Sequence, residues 1–162
     1  MKNILLVLSV VGFAVAADAA PPAGNGPNRD SVLGGGKSIS DIFNVVAHSG
    51  PHGEAAFGHL KAQNVNGYAS AFDLEAEVTC LRVDGDLATI GGRLTKLDNS
   101  LGYTLDLFPG VIQYVKDGRA TGTADAISYQ FPVTAIPTSC PAPSEVYTVF
   151  PLLQGNINVH DE

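Results

Sequence analysis

The chain has no tryptophan, few basic residues and only two cysteines in its 162 residues. Each shortage removes a class of function. Without Trp there are no flat indole platforms of the kind carbohydrate-binding modules present, and none of the lining common in glycosidase clefts. Nine Lys and Arg stand against sixteen Asp and Glu, a formal net charge of −7. Affinity for nucleic acid comes mainly from basic side chains on phosphate, so an acidic chain is a poor partner for it. No basic amphipathic segment is present to hold an anionic membrane. No Gly-x-Ser-x-Gly elbow supplies a nucleophile, and no loop follows the alternating-oxygen calcium pattern. No Asn-x-Ser/Thr acceptor occurs, which agrees with a bacterial source. No segment sustains a helical period.

What is present starts with an export signal. Met-Lys-Asn carries one positive charge and precedes an apolar run from Ile4 to Ala16. That run is shorter than the roughly 20 residues a bilayer-spanning helix needs, although an uncleaved anchor is the alternative reading. Ala17-Asp18-Ala19 supplies the small-x-small pattern of signal peptidase, and Pro21 disfavours cleavage one residue later, so residues 1–19 are expected to leave. No cysteine follows the run to carry a lipid. Lys2 and Asp18 depart together, so the remaining chain, Ala20 to Glu162, keeps its charge and is sized for a single core. The expected compartment is periplasmic or extracellular, with no membrane insertion after processing. In such oxidising surroundings Cys80 and Cys140 are expected to bridge, closing a loop worth about 4 kcal/mol in the chain-entropy model. Two separate buried thiols are the alternative.

Residues 20–37 are rich in Pro, Gly and Asn and read as a flexible leader with little to bury. From Ser38 short alternating apolar stretches are separated by Gly, Asn, Asp and Pro, the mark of a β domain over 38–162. Phe43, Val45 and Ala47 share one strand face, and Leu60 and Ala62 share another. Ala76, Val78 and Cys80 form a third, beyond which Leu81 and Val83 change sides. Either both sides are covered there or a bulge resets the register. Asn66-Gly67 and Asp84-Gly85 are turn signals. The return strand after Asp84-Gly85 aligns Ala88, Ile90, Gly92 and Leu94, and Gly91-Gly92 predicts a sharp bend. Further strands are expected at Val111–Lys116, at Ala126–Phe131 with Ile127, Tyr129 and Phe131 inward, and at Gly155–Asp161 with Ile157 and Val159 inward. About eight strands without a crossover helix predict an all-β fold, an antiparallel barrel or sandwich, with the glycine pair leaning towards a barrel.

Three stretches carry a resemblance: Ala47-His48-Ser49-Gly50-Pro51-x-Gly53-Glu54; Val78-Thr79-Cys80-Leu81-x-Val83-x-Gly85 leading to Ala88-Thr89-Ile90-Gly91-Gly92; and Gly155-Asn156-Ile157-x-Val159-His160-Asp161. Together they resemble a family of secreted bacterial all-β proteins with no assigned activity. The resemblance implies export, a β domain and pairing of Cys80 with Cys140. It implies no substrate and no catalytic residue.

Among chemistry-bearing residues the histidines stand out. His48 and His59 fall on the polar faces of neighbouring strands, His52 in the loop between them, and His160 near the C-terminus. Converging imidazoles would suit Zn²⁺ or Cu²⁺, but the spacing matches no ligand pattern, and solvated surface histidines are the plainer reading. Asp84-Gly85-Asp86, Asp98-Asn99, and Asp117-Gly118 with Asp125 are acidic loop clusters and the calcium candidates, none in the twelve-residue pattern, and turn chemistry explains the first without a ligand. Glu75 and Glu77 share a strand face and could form an acid/base pair, though two solvated carboxylates are far commoner. Ser49 beside His48 cannot cooperate with it, because strand neighbours point to opposite faces. Phe43, Tyr129 and Phe131 read as core, while Tyr68, Phe72, Tyr103 and Tyr114 could line an opening, with filling a barrel interior the default. The chemistry therefore disfavours an enzyme and requires no cofactor. The favoured reading is an exported non-catalytic domain for binding or structure, with a protein or small molecule as its partner. The alternatives are a small barrel that binds, or isomerises, a small apolar ligand, and a histidine-based metal binder.

Overall fold

The computed structural model describes residues 29–64, 72–148 and 150–162. The expected export signal, Asn66-Gly67 and Tyr68 lie outside them. Ten strands form one antiparallel sheet in the order β10-β1-β2-β3-β4-β5-β6-β7-β9, with β8 added beside β6. They are β1 (Asp30–Lys37), β2 (Asp41–Ser49), β3 (Phe57–Asn64), β4 (Phe72–Asp84), β5 (Leu87–Asn99), β6 (Gly110–Lys116), β7 (Ala126–Ile127), β8 (Phe131–Val133), β9 (Phe150–Pro151) and β10 (Gln154–His160). The sheet curls into a half-barrel rather than splitting into the two layers of a sandwich.

Alternation sets the core as the sequence predicts. Phe43, Val45 and Ala47 of β2, Leu60 and Ala62 of β3, Ala88, Ile90 and Leu94 of β5, and Ile157 of β10 are all buried on the concave side in one cluster. At about 25 cal/mol per Å² of apolar area this burial is the main drive to fold. The β4–β5 hairpin turns through Gly85-Asp86, one residue later than Asp84-Gly85 suggests, with Gly85 at φ 60°. Gly91 faces out against the disulfide, where a Cβ would lie 2.5 Å from Cys80 Sγ and 2.9 Å from Pro137 Cβ.

Three sequence expectations are corrected. Residues 30–37 of the expected leader are strand β1, paired with β2 on one side and β10 on the other. Its glycines are the reason: a Cβ on Gly34 or Gly36 would fall on the backbone of β10 at Asn156 or Gln154. Absent side chains thus permit a close strand contact that composition reads as looseness. The second concerns Cys80. The register shifts between Val78 and Cys80, so Val78 and Leu81 both point inward while Cys80 turns out to meet Cys140. A bulge does this by opposing two residues to one.

The third is the expected strand Ala126–Phe131. Ile127 pairs with Val115 and faces the core, but after it the Ser128 hydroxyl accepts the Tyr114 N–H at 2.9 Å and the chain bends. Pairing resumes with Phe131 opposite Ile112, one residue out of step. A one-residue slip exchanges the faces of a strand. Tyr129 and Phe131 therefore lie outside, 53% and 37% exposed, and Gln130 is buried.

The β10 edge is met by side chains instead of another strand. Asp125 Oδ2 accepts the Ile157 N–H at 2.6 Å, Asp117 Oδ2 accepts the Val159 N–H at 3.3 Å, and Arg119 Nη2 donates to the Ile157 carbonyl at 3.1 Å. An open edge invites pairing with other chains, and these bonds occupy it. Burial alone would raise the Asp117 carboxyl, but hydrogen bonds from Arg119 and Val159 outweigh it and hold the group below its ordinary value. The acidic cluster Asp117, Gly118 and Asp125 thus serves the fold.

Candidate functional site

After β8, residues 134–148 cross the convex face of β4, β5 and β6 as a strap. The Cys80–Cys140 disulfide pins it with Cα atoms 5.5 Å apart, and Thr79 Oγ1 donates to the Pro137 carbonyl. Further along, Tyr147 stacks on Tyr114 at 4.6 Å, and Phe131 meets both edge-on. Burial raises the Tyr114 phenol, with Tyr147 adding to it. Lys116 and Glu145 close an ion pair at the far end of the strap.

The β7–β8 segment walls an open pocket of about 180 Å³ at the end of the sheet where β4 begins and β5 ends. Phe72, Leu74 and Leu97 floor it, Leu101 and Tyr103 of the following loop form one side, and Tyr129, Gln130 and Pro132 form the other. The loop is held by Asn99, whose Oδ1 accepts the Leu101 and Tyr103 N–H groups at 3.0 Å and whose Nδ2 donates to the Tyr103 carbonyl at 2.8 Å. Asp98-Asn99, an acidic cluster in the sequence, is in this respect a loop anchor. Gln130 is 9% exposed, and its amide oxygen and nitrogen are both sealed from solvent with no hydrogen-bond partner among the described residues. An unsatisfied buried polar group costs about 1–3 kcal/mol.

Phe72 and Tyr103 thus line an opening, the lesser of the two readings the sequence offers, whereas Tyr114 lies under the strap. Gln130 is the lining residue that sequence reasoning misses, because alternation from Ile127 places it outward. Its flanking aromatics were the available signal: Tyr129 and Phe131 suit a convex face beneath a strap as well as a core.

A larger cleft of about 710 Å³ lies at the opposite end, lined by Asp30, His52, Glu54, Arg82 and the disulfide among others. Its carboxylates already have structural partners. Asp30 Oδ1 accepts the Glu162 N–H at 3.2 Å, and Glu54 Oε2 accepts the His52 N–H at 2.9 Å within the β2–β3 loop. Burial raises the Asp30 carboxyl, opposed by the Glu162 bond and assisted by Asp161 and Glu54.

The four histidines are placed separately. His48 stacks on Phe57 at 5.2 Å, His52 and His59 are exposed, and His160 Nε2 lies 2.7 Å from Glu162 Oε1. Among the described residues no group of three or more His, Cys, Asp or Glu side chains is placed to hold a metal ion. Glu75 pairs with Lys61 at 2.7 Å, which holds its carboxyl below the ordinary value, and Glu77 sits opposite Arg93 and His59 in the register. This is a charge ladder on the convex surface. Asp84-Gly85-Asp86 is the hairpin turn, capped by Asp161 Oδ2, which accepts the Gly85 N–H at 2.6 Å.

Ile90, Leu94 and Ile127 fill the core, and Phe131 lies outside it. Among the described residues no helix is long and apolar enough to cross a membrane. No family model, no curated protein and no solved structure matches the chain.

Proposed function

We propose that this chain is an exported, non-catalytic binding domain. The half-barrel is its scaffold, and the pocket between the β4–β5 end and the β7–β8 segment is its binding site. The observation that carries this reading is a mostly apolar pocket bounded by Phe72, Leu74, Leu97, Leu101, Tyr103 and Tyr129. Ligand sites are typically apolar concavities with a few placed polar groups. The disulfide and the signal-like N-terminus support a periplasmic or secreted location.

Titration of the ¹⁵N-labelled protein with toluene tests it. Saturable amide shifts should centre on Phe72, Leu97, Leu101, Tyr103 and Gln130. Shifts absent up to the solubility limit, or scattered over the surface, would overturn the reading.

A further inference from the structure

We infer that the Cys80–Cys140 disulfide is a redox latch: a dithiol reductant frees the strap 134–148 while the half-barrel stays folded. The latch is independent of the binding reading, because the β7–β8 segment and not the strap walls the pocket. Where the bond lies comes first. The register places Val78, Leu81, Ala88 and Ile90 inside and turns Cys80 out, so the bond joins strap to sheet on the convex face. Among the described residues the strap supplies no member of the buried core cluster. Opening the bond therefore withdraws no side chain from the apolar burial that drives folding.

The strap has few other ties. Among the described residues its backbone N–H groups make no bond to a strand; those of Tyr147 and Thr148 donate to the Ser144 and Glu145 carbonyls within the strap. One hydroxyl, that of Thr79, donates to the Pro137 carbonyl. The Lys116–Glu145 pair and the Tyr147–Tyr114 stack are surface contacts, with the Glu145 side chain 63% and Tyr147 45% exposed. Exposed ion pairs contribute little. The closed position is still a defined seat. A Cβ on Gly91 would lie 2.9 Å from Pro137 Cβ, and one on Gly110 would lie 2.8 Å from Pro137 Cδ, so Pro137 rests on two bare backbone positions.

Cys80 and Cys140 both border the cleft of about 710 Å³, and Cys140 is half-buried where Cys80 is 2% exposed. One thiolate of the dithiol attacks Cys140 Sγ, and Cys80 Sγ leaves as a thiolate and takes a proton. The second thiolate of the dithiol attacks its own sulfur in the mixed disulfide, and Cys140 Sγ leaves in turn. Two electrons and two protons pass to the protein, which ends with two thiols, and the dithiol ends as a cyclic disulfide.

The test reduces the purified oxidised protein with dithiothreitol in the absence of denaturant. Reduction should run at a rate proportional to dithiothreitol and at least about tenfold faster than global unfolding. Far-UV circular dichroism should not change. Backbone order parameters at Ala135, Thr138, Ser139 and Ala142 should fall from about 0.85 to below about 0.6, while those of β2 to β5 hold, and reoxidation should restore them. Reduction at a rate independent of dithiothreitol and equal to unfolding would refute the latch. Loss of the sheet on reduction, or strap order parameters that do not move, would refute it equally. Dithiothreitol should change nothing in the double variant Cys80→Ser, Cys140→Ser; a response there would place the effect elsewhere and overturn the inference.

Discussion

Asp125 should hold the free edge of the half-barrel, and its removal offers a quantitative test. Its Oδ1 accepts the Gly118 N–H at 2.9 Å and its Oδ2 accepts the Ile157 N–H at 2.6 Å, so one carboxylate ties the 3₁₀ turn Gly118–Thr121 to β10. Hydrogen bonds to a charged group are worth about 1.5–3 kcal/mol each. Partial exposure lowers that, so Asp125→Ala should cost about 2–4 kcal/mol, a large fraction of the roughly 5–15 kcal/mol that stabilises a domain of this size. Asp125→Asn keeps one acceptor but turns an amide N–H towards a backbone N–H, and should cost about half as much. Urea denaturation measures the change, with Asp106→Asn on the exposed turn after β5 as a control within about 0.5 kcal/mol. Hydrogen exchange at the Ile157 amide should accelerate in both Asp125 variants. A loss below about 0.5 kcal/mol for Asp125→Ala, or unchanged exchange at Ile157, would refute the side-chain seam.

Other outcomes follow from the same geometry. Replacing Cys80 and Cys140 together by Ala should cost about 4 kcal/mol and increase hydrogen exchange first across residues 134–148, which a strap held elsewhere would not show. Asp41 is buried, and that burial raises its carboxyl above 3.8, opposed by the Ser40 hydroxyl. Such a group contributes stability present below 3.8 and lost as pH rises through its raised value. Asp41→Asn should therefore be more stable than wild type at neutral pH, with the advantage shrinking on acidification; a constant difference by pH-dependent denaturation would contradict this. Gln113 is fully buried between Val111 and Val115 with both amide atoms unpartnered, so Gln113→Leu should raise stability by about 1–3 kcal/mol. A decrease would show that Gln113 has an internal partner, with bound water or Gln130 the first to test.

Much of the fold is legible in the sequence because concave-face alternation survives wherever the ladder is unbroken. Phe43, Val45, Leu60, Ala62, Ala88, Ile90 and Ile157 fall inward as period-two reading requires. Legibility ends where the ladder slips. The displacement between Ile127 and Phe131 reverses Tyr129, Gln130 and Phe131, and the bulge before Cys80 turns that cysteine outward. Both events are decided by distant partners, namely Tyr114 for the first and Cys140 with its strap for the second. The glycines of β1 mislead for a related reason: their value lies in how closely β10 approaches, which composition does not encode. The candidate site was half visible. Phe72 and Tyr103 are marked by type and position, but Gln130 becomes a buried lining residue only because of the slip. The histidines, conspicuous in the sequence, are distributed over three strands and a loop.

The central claim, an apolar pocket at the end of the sheet where β4 begins and β5 ends, is tested most directly by a crystal structure of the protein under xenon pressure. Xenon density is expected between Leu97, Tyr103 and Pro132. A cavity collapsed onto its own side chains, or filled by a chain of ordered waters that excludes xenon, would contradict it.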